Sequence, residues 1–233
     1  MQTQNPKLRK GVIFILLAAL ITLACVCSTQ NLPDFVTNII GRGTSNQDLP
    51  ENILLQDDFS DPNSGWEVAQ FDAGNVGYID GKYFVTSTQN GGAMWGVAGQ
   101  NYTDVTIEVT TTQINAPSNN NNDYGILCRL RENADGYSFN ISGDGFYSIQ
   151  RMDDSEFVNL VEWAESNKIK TGNASNTIKA ICQGSTLTLF INGDQVAEVT
   201  DTTYTDGDIA LAATTYEDQP TEIRFDDLVV SRP

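Results

Sequence analysis

From Ile53 to the carboxyl terminus the chain repeats one pattern, short runs rich in Val, Ile, Thr, Tyr and Phe, each closed by Gly, Asn or Asp. ILLQDDF, VTIEVTTTQI, GYSFNIS, TLTLFING and IRFDDLVVS are examples. β-Branched and aromatic residues suit a pleated surface, and the closing residues suit tight turns, so these runs predict strands and hairpins. No stretch carries a helical period. Many short strands joined by tight turns predict an all-β protein, a two-sheet antiparallel jelly-roll sandwich, over residues 53–233.

Alternation along the runs predicts which side chains face inward. In YGILCRLR it groups Tyr124, Ile126, Cys128 and Leu130 on one face and Leu127, Arg129 and Arg131 on the other. In IKAIC and TLTLFI it groups Ile178, Ala180 and Cys182, then Leu187, Leu189 and Ile191. Asn192-Gly193 suits a type I′ turn, because both central residues there need positive φ. GYIDGKYFVTST reads as one long strand, and INAPSNNNNDYG, residues 114–125, as a solvated loop at a rim.

The amino terminus sets the expected address. Lys7, Arg9 and Lys10 precede an apolar run from Val12 to Cys27, the pattern of an export signal or a short membrane anchor. The run resembles a bacterial lipoprotein signal, in which a small residue precedes the cysteine that is lipidated, and Ala24-Cys25 matches that junction. Residues 1–27 are therefore a signal peptide with lipidation at Cys25, or an uncleaved anchor. Residues 28–52 form a polar linker. Either way the domain is expected outside the cytoplasm, tethered to the membrane through its amino terminus. With Cys25 and Cys27 in the leader, Cys128 and Cys182 remain, both on core-facing positions. They form a disulfide in an oxidising compartment, or stay as two buried thiols.

Charge and composition exclude several functions. Acidic residues outnumber basic ones 30 to 13, for a net charge of −17, which repels nucleic acid. There is no histidine, which removes histidine metal sites and every Ser-His or Cys-His catalytic pair. An enzyme built from this chain would work with carboxylates.

The runs DDFSDPNSGW (57–66), YGILCRLRENADGYSFNISGDGFYSI (124–149), NTIKAICQGSTLTLFINGDQVAEV (176–199), GDIALAA (207–213) and FDDLVV (225–230) resemble the concanavalin A-like lectin/glucanase superfamily. The likeness is to its domains related to 3-keto-disaccharide hydrolases and laminin-G-like modules. That resemblance implies a fold which hosts lectins, hydrolases and adhesion modules alike. The Glu-x-Asp-x-x-Glu arrangement of the superfamily's glycosidases is absent, and the clusters at Asp153-Asp154 and Glu162 to Glu165 read as a turn and a strand edge. Related jelly rolls clasp calcium where their ends meet, which implies a structural Ca2+ held by Asp58 and Asp226, with Asp227 as substitute. The alternative is that these acids cap backbone N–H groups.

For a ligand face, the polar sides of the central strands offer Arg129, Asn140 and Tyr147, with Trp95 or Trp163 as an aromatic shelf. A flat ring beneath a sugar with amides and forked donors on its hydroxyls is how carbohydrate is held. The expected function is non-catalytic binding of carbohydrate or another extracellular ligand. The alternatives are a glycoside-processing hydrolase and a structural module contacting protein.

Overall fold

The computed structural model describes residues 50–154 and 156–233. The leader, Cys25 and most of the linker lie outside the described residues. The described chain forms fifteen strands: β1 (Ile53–Asp57), β2 (Ala69–Phe71), β3 (Gly74–Ile79), β4 (Lys82–Ser87), β5 (Gly92–Val97), β6 (Val105–Asn115), β7 (Asn122–Leu130), β8 (Gly136–Ser142), β9 (Phe146–Asp153), β10 (Glu156–Glu165), β11 (Ser175–Gln183), β12 (Thr186–Ile191), β13 (Asp194–Thr200), β14 (Asp208–Thr215) and β15 (Thr221–Ser231). They pair antiparallel into two sheets. One runs β13-β12-β11-β6-β15-β4-β3-β2, with β1 also paired to β15, and the other runs β10-β9-β8-β7-β14-β5. The domain is a two-sheet antiparallel jelly-roll sandwich, all-β as the sequence predicts.

The core lies between the sheets. Tyr124, Ile126, Cys128, Phe139, Ile149 and Leu211 from the six-stranded sheet meet Ile107, Val109, Ile178, Leu189, Phe225 and Val230 from the nine-stranded one. All are buried. Cys128 on β7 is disulfide-bonded to Cys182 on β11, so a covalent bridge crosses the core and ties the two sheets together. The Asn192-Gly193 turn has positive φ at both positions, 52° and 88°, as a type I′ hairpin requires.

Two local readings are corrected. GYIDGKYFVTST is two strands, β3 and β4, because Asp80 and Gly81 both take positive φ and reverse the chain. The alternation in YGILCRLR breaks at Arg129, which has φ 53°. The register against β14 slips there, from Leu127 opposite Ala210 to Leu130 opposite Asp208. One extra residue is thereby inserted in β7, so Leu130 joins Leu127 on the outer face instead of Cys128 in the core. Gly207 permits this bulge, since a Cβ there would lie 2.4 Å from the Arg129 carbonyl carbon.

A second bulge lies at Asp226-Asp227. There β15 leaves β4 for β1, Asp227 has φ 50°, and the register against β6 shifts between Asp226 and Val229. These two acids occupy a backbone irregularity that splits one strand between two partners.

Candidate functional site

The six-stranded sheet has a second, smaller apolar cluster on the face turned away from the core: Leu127, Leu130, Met152, Ala210 and Ala212, with Trp95 and Val97 packed against it. Period-two alternation places it there, since Leu127 and Ala212 take the opposite parity to Ile126 and Leu211. On the same face β8, β9 and β10 carry side-chain amides. The Ser138 hydroxyl donates to Asn140 Oδ1 at 2.6 Å, Asn140 Nδ2 to Gln150 Oε1 at 3.1 Å, and Gln150 Nε2 to Asn159 Oδ1 at 2.8 Å. Asn159 Nδ2 then donates to Glu162 Oε2 at 2.8 Å. Each amide commits one of its two N–H donors to this ladder.

Trp95, Leu127, Asn140, Gln150, Met152 and Phe157 border a hollow of about 100 Å³ on this face. A second hollow of about 380 Å³, bordered by Ser142, Asp144, Phe146 and Trp163, shares Asp123 and Tyr216 with the first. Together they make one groove with an apolar floor, an aromatic at each end and amides along one side. Asp123 is 5 % exposed. It accepts a hydrogen bond from Tyr216 Oη at 2.5 Å. Burial pushes its pKa up to about 6, against the opposing hydrogen bonds of Tyr216 and Thr214. Burial, with the Asp123 charge beside it, likewise raises the Tyr216 phenol well above its usual range.

Of the residues expected at a ligand face, Asn140, Trp95 and Trp163 border this groove. Arg129 does not. It is 1 % exposed, and its guanidinium donates to Thr103 O at 3.0 Å, Tyr204 O at 2.9 Å and Asp104 Oδ1 at 3.3 Å. The bulge turned it from the ligand face into a clamp between two connections. Tyr147 is also misplaced by that expectation. It stands opposite Ile141, on the face that packs against the main core, and borders a separate hollow with Glu165, Lys168 and Gln195.

The acids expected to clasp calcium have other contacts. Asp58 accepts from the Ser60 backbone N–H and hydroxyl, which hold its carboxyl below the usual range. Asp226 pairs with Lys82 and caps the Asp227 N–H at 2.9 Å. Among the described residues no three acidic or cysteine side chains group so as to hold a metal ion. Each of the two acids also accepts a backbone N–H, as the capping alternative expects.

Asp123 and Tyr216 escaped the sequence reading. Asp123 sits at the end of the asparagine run read as a loop, yet it shares parity with Leu127. Tyr216 continues the parity of Ala212 and Thr214 one step past β14. Extending the alternation into both flanks would have placed them on the groove face.

The family described as 3-keto-alpha-glucoside-1,2-lyase-like domain matches residues 56–231. No match was found among curated proteins. Among solved structures, the carbohydrate-binding module CBM66 from Bacillus subtilis aligns with TM-score 0.51 and 16% identity, over 72% of this chain and 96% of that one. The Bacillus licheniformis β-glucanase aligns with TM-score 0.57 and 12% identity, over 77% and 97%. An endo-acting O-glycanase from the human gut microbiota aligns with TM-score 0.53 and 12% identity, over 78% and 99%. At these identities the likeness is one of fold.

Proposed function

The chain belongs to the 3-keto-alpha-glucoside-1,2-lyase-like family, and from that premise we propose that its outer groove binds carbohydrate without transforming it, at the end of a membrane tether. The observation that carries this reading is the amide ladder from Ser138 to Asn159 facing an apolar floor with Trp95 at one end and Trp163 at the other. A sugar ring has apolar C–H faces and a rim of hydroxyls, so it needs both surfaces at once. The amides are fixed in orientation by each other before any ligand arrives, which lowers the ordering cost of binding. Fold relatives that bind or cleave glycans agree with a glycan ligand at this coarse level. The tether rests on the charged and apolar pattern of residues 7–27.

A second reading, glycoside processing, is favoured by one observation. A buried carboxylate with a pKa near neutrality, such as Asp123, is what proton transfer at a reacting carbon or oxygen would use. Glycan-array binding by the full-length chain in detergent, run beside turnover assays on 3-keto-glucosides, separates the two. Binding without turnover supports the module; turnover that disappears in Asp123→Asn supports the enzyme and contradicts the binding-only reading.

A further inference from the structure

The groove offers a ligand one buried negative charge and no positive one. Asp123 takes hydrogen bonds from hydroxyls, those of Tyr216 and Thr214. The other buried carboxylate among the described residues, Asp57, takes a backbone N–H from Phe59 as well as the Ser64 hydroxyl. Among the described residues no lysine or arginine borders either hollow. Five of the bases are engaged elsewhere: Lys82 with Asp226, Arg129 with Asp104, Arg151 with Asp201, Lys179 with Glu108 and Arg224 with Glu222. A carboxylate withdrawn from water is costly unless a cation answers it. Here the place for that cation opens into the groove and is supplied by no residue that borders it.

The rest of the molecule points the same way. A net charge of −17 creates a field that gathers cations and repels anions before contact. A uronate, sialate or sulfate would bring a second negative charge against Asp123 with no base to receive it. An ammonium brings three donors and a full positive charge. Set on a sugar ring, it can meet Asp123 while the ring lies on the apolar floor and its hydroxyls reach Asn140 and Gln150.

We propose that the groove selects glycans carrying free ammonium groups, hexosamine units with the amine unacylated, and that Asp123 is the residue that sets this charge class. The inference rests on the carbohydrate-binding reading of the groove. It goes beyond it by naming the ligand's charge and the side chain that reads it.

The test uses the full-length chain in neutral detergent and three probes of equal length: a glucosamine oligosaccharide, the same oligosaccharide N-acetylated, and a uronic-acid oligosaccharide. Calorimetry should show the amine form binding about tenfold or more tightly than the acetylated form, roughly the gain of one charge-assisted pair over a neutral one, with no binding of the uronate. Asp123→Asn should bring the amine form down to the acetylated level. Asp123→Ala serves as a second variant, and a melting curve establishes that each is folded. Glu108→Gln removes an equal charge from the other sheet and should leave the preference intact. An equal loss in Glu108→Gln and Asp123→Asn would reduce the effect to the general field and overturn the assignment. Equal affinity for amine and acetylated forms, both weakened by Asn140→Ala, would overturn it while leaving the carbohydrate groove standing. No binding of any probe by the wild-type chain would count against the groove itself.

Discussion

Cys128 and Cys182 stand on different sheets, β7 and β11, and their disulfide is a covalent tie across the sandwich core. The chain between them includes β8, β9 and β10, so the bridge closes a long loop through the sheet that bears the groove. With a sequence separation of 54, the loop-closure relation puts its contribution at about 4 kcal/mol. Chemical denaturation with and without reductant should show a loss of that order, and a Cys128→Ala, Cys182→Ala double variant should match the reduced protein. An unchanged midpoint in both would contradict a stabilising role.

Arg129 carries a different expectation from that of an exposed arginine. Arg129→Ala would leave the Thr103 and Tyr204 carbonyls without their donor and Asp104 without its charge partner. Asp104 is about half exposed, so the cost lies mainly in the carbonyls left without a donor, about 1–3 kcal/mol for each one buried, against about 0.5 kcal/mol or less for a solvent-face substitution. Thermal and urea unfolding of the variant distinguish the two directly.

Asp123 ties stability to pH. Its folded-state pKa is raised from 3.8 to about 6, so the folded protein holds this proton more tightly than the unfolded chain. That contribution favours the fold fully below the unfolded value near 3.8 and is lost as pH rises through about 6. Asp201 has the opposite sign. Burial would raise it, but hydrogen bonds from Thr203, Tyr137 and Arg151 outweigh burial and hold it at about 2, so its contribution is lost only as pH falls through that value. Asp123→Asn should therefore stabilise the protein at neutral pH by up to about 3 kcal/mol, at roughly 1.4 kcal/mol per pKa unit. The gain should shrink toward nothing near pH 4. A gain independent of pH would contradict the assignment.

Calcium gives a further check on the chain ends. Because Lys82 answers Asp226 and Ser60 answers Asp58, calcium should raise the melting temperature no more than sodium at equal ionic strength, an effect of screening alone. A calcium-specific rise that Asp226→Ala abolishes would contradict this and support the clasp.

The strands and the core were legible because burial imposes a period of two that the sequence keeps, from Ile178, Ala180 and Cys182 to Leu187, Leu189 and Ile191. The same rule placed Cys128 and Cys182 on core-facing positions, where they form the disulfide. It failed where the backbone departs from the pleat. A positive φ at Arg129 shifts the phase of everything after it, and the bulge at Asp226-Asp227 gives those acids a backbone role that composition cannot reveal. Tyr147 was misread because its hairpin was taken by residue type, although its pairing with Ile141 puts it on the core side. Asn140 and Trp95, expected at a ligand face, border the outer groove. The ladder joining Asn140 to Gln150 and Asn159 needs cross-strand register, which no single strand encodes.

The groove account is tested most directly at Trp95. Titrating the full-length chain with a neutral or amine-bearing oligosaccharide while following tryptophan fluorescence should give a saturable change, since Trp95 and Trp163 border the groove whereas Trp66 is buried in the core. Trp95→Phe should remove part of that change and Trp95→Phe with Trp163→Phe most of it, while Asn140→Ala should shift the midpoint to about tenfold higher concentration, the weight of one or two ligand hydrogen bonds. A saturable signal that survives the double tryptophan variant and keeps its midpoint in Asn140→Ala would place the ligand elsewhere and contradict the account.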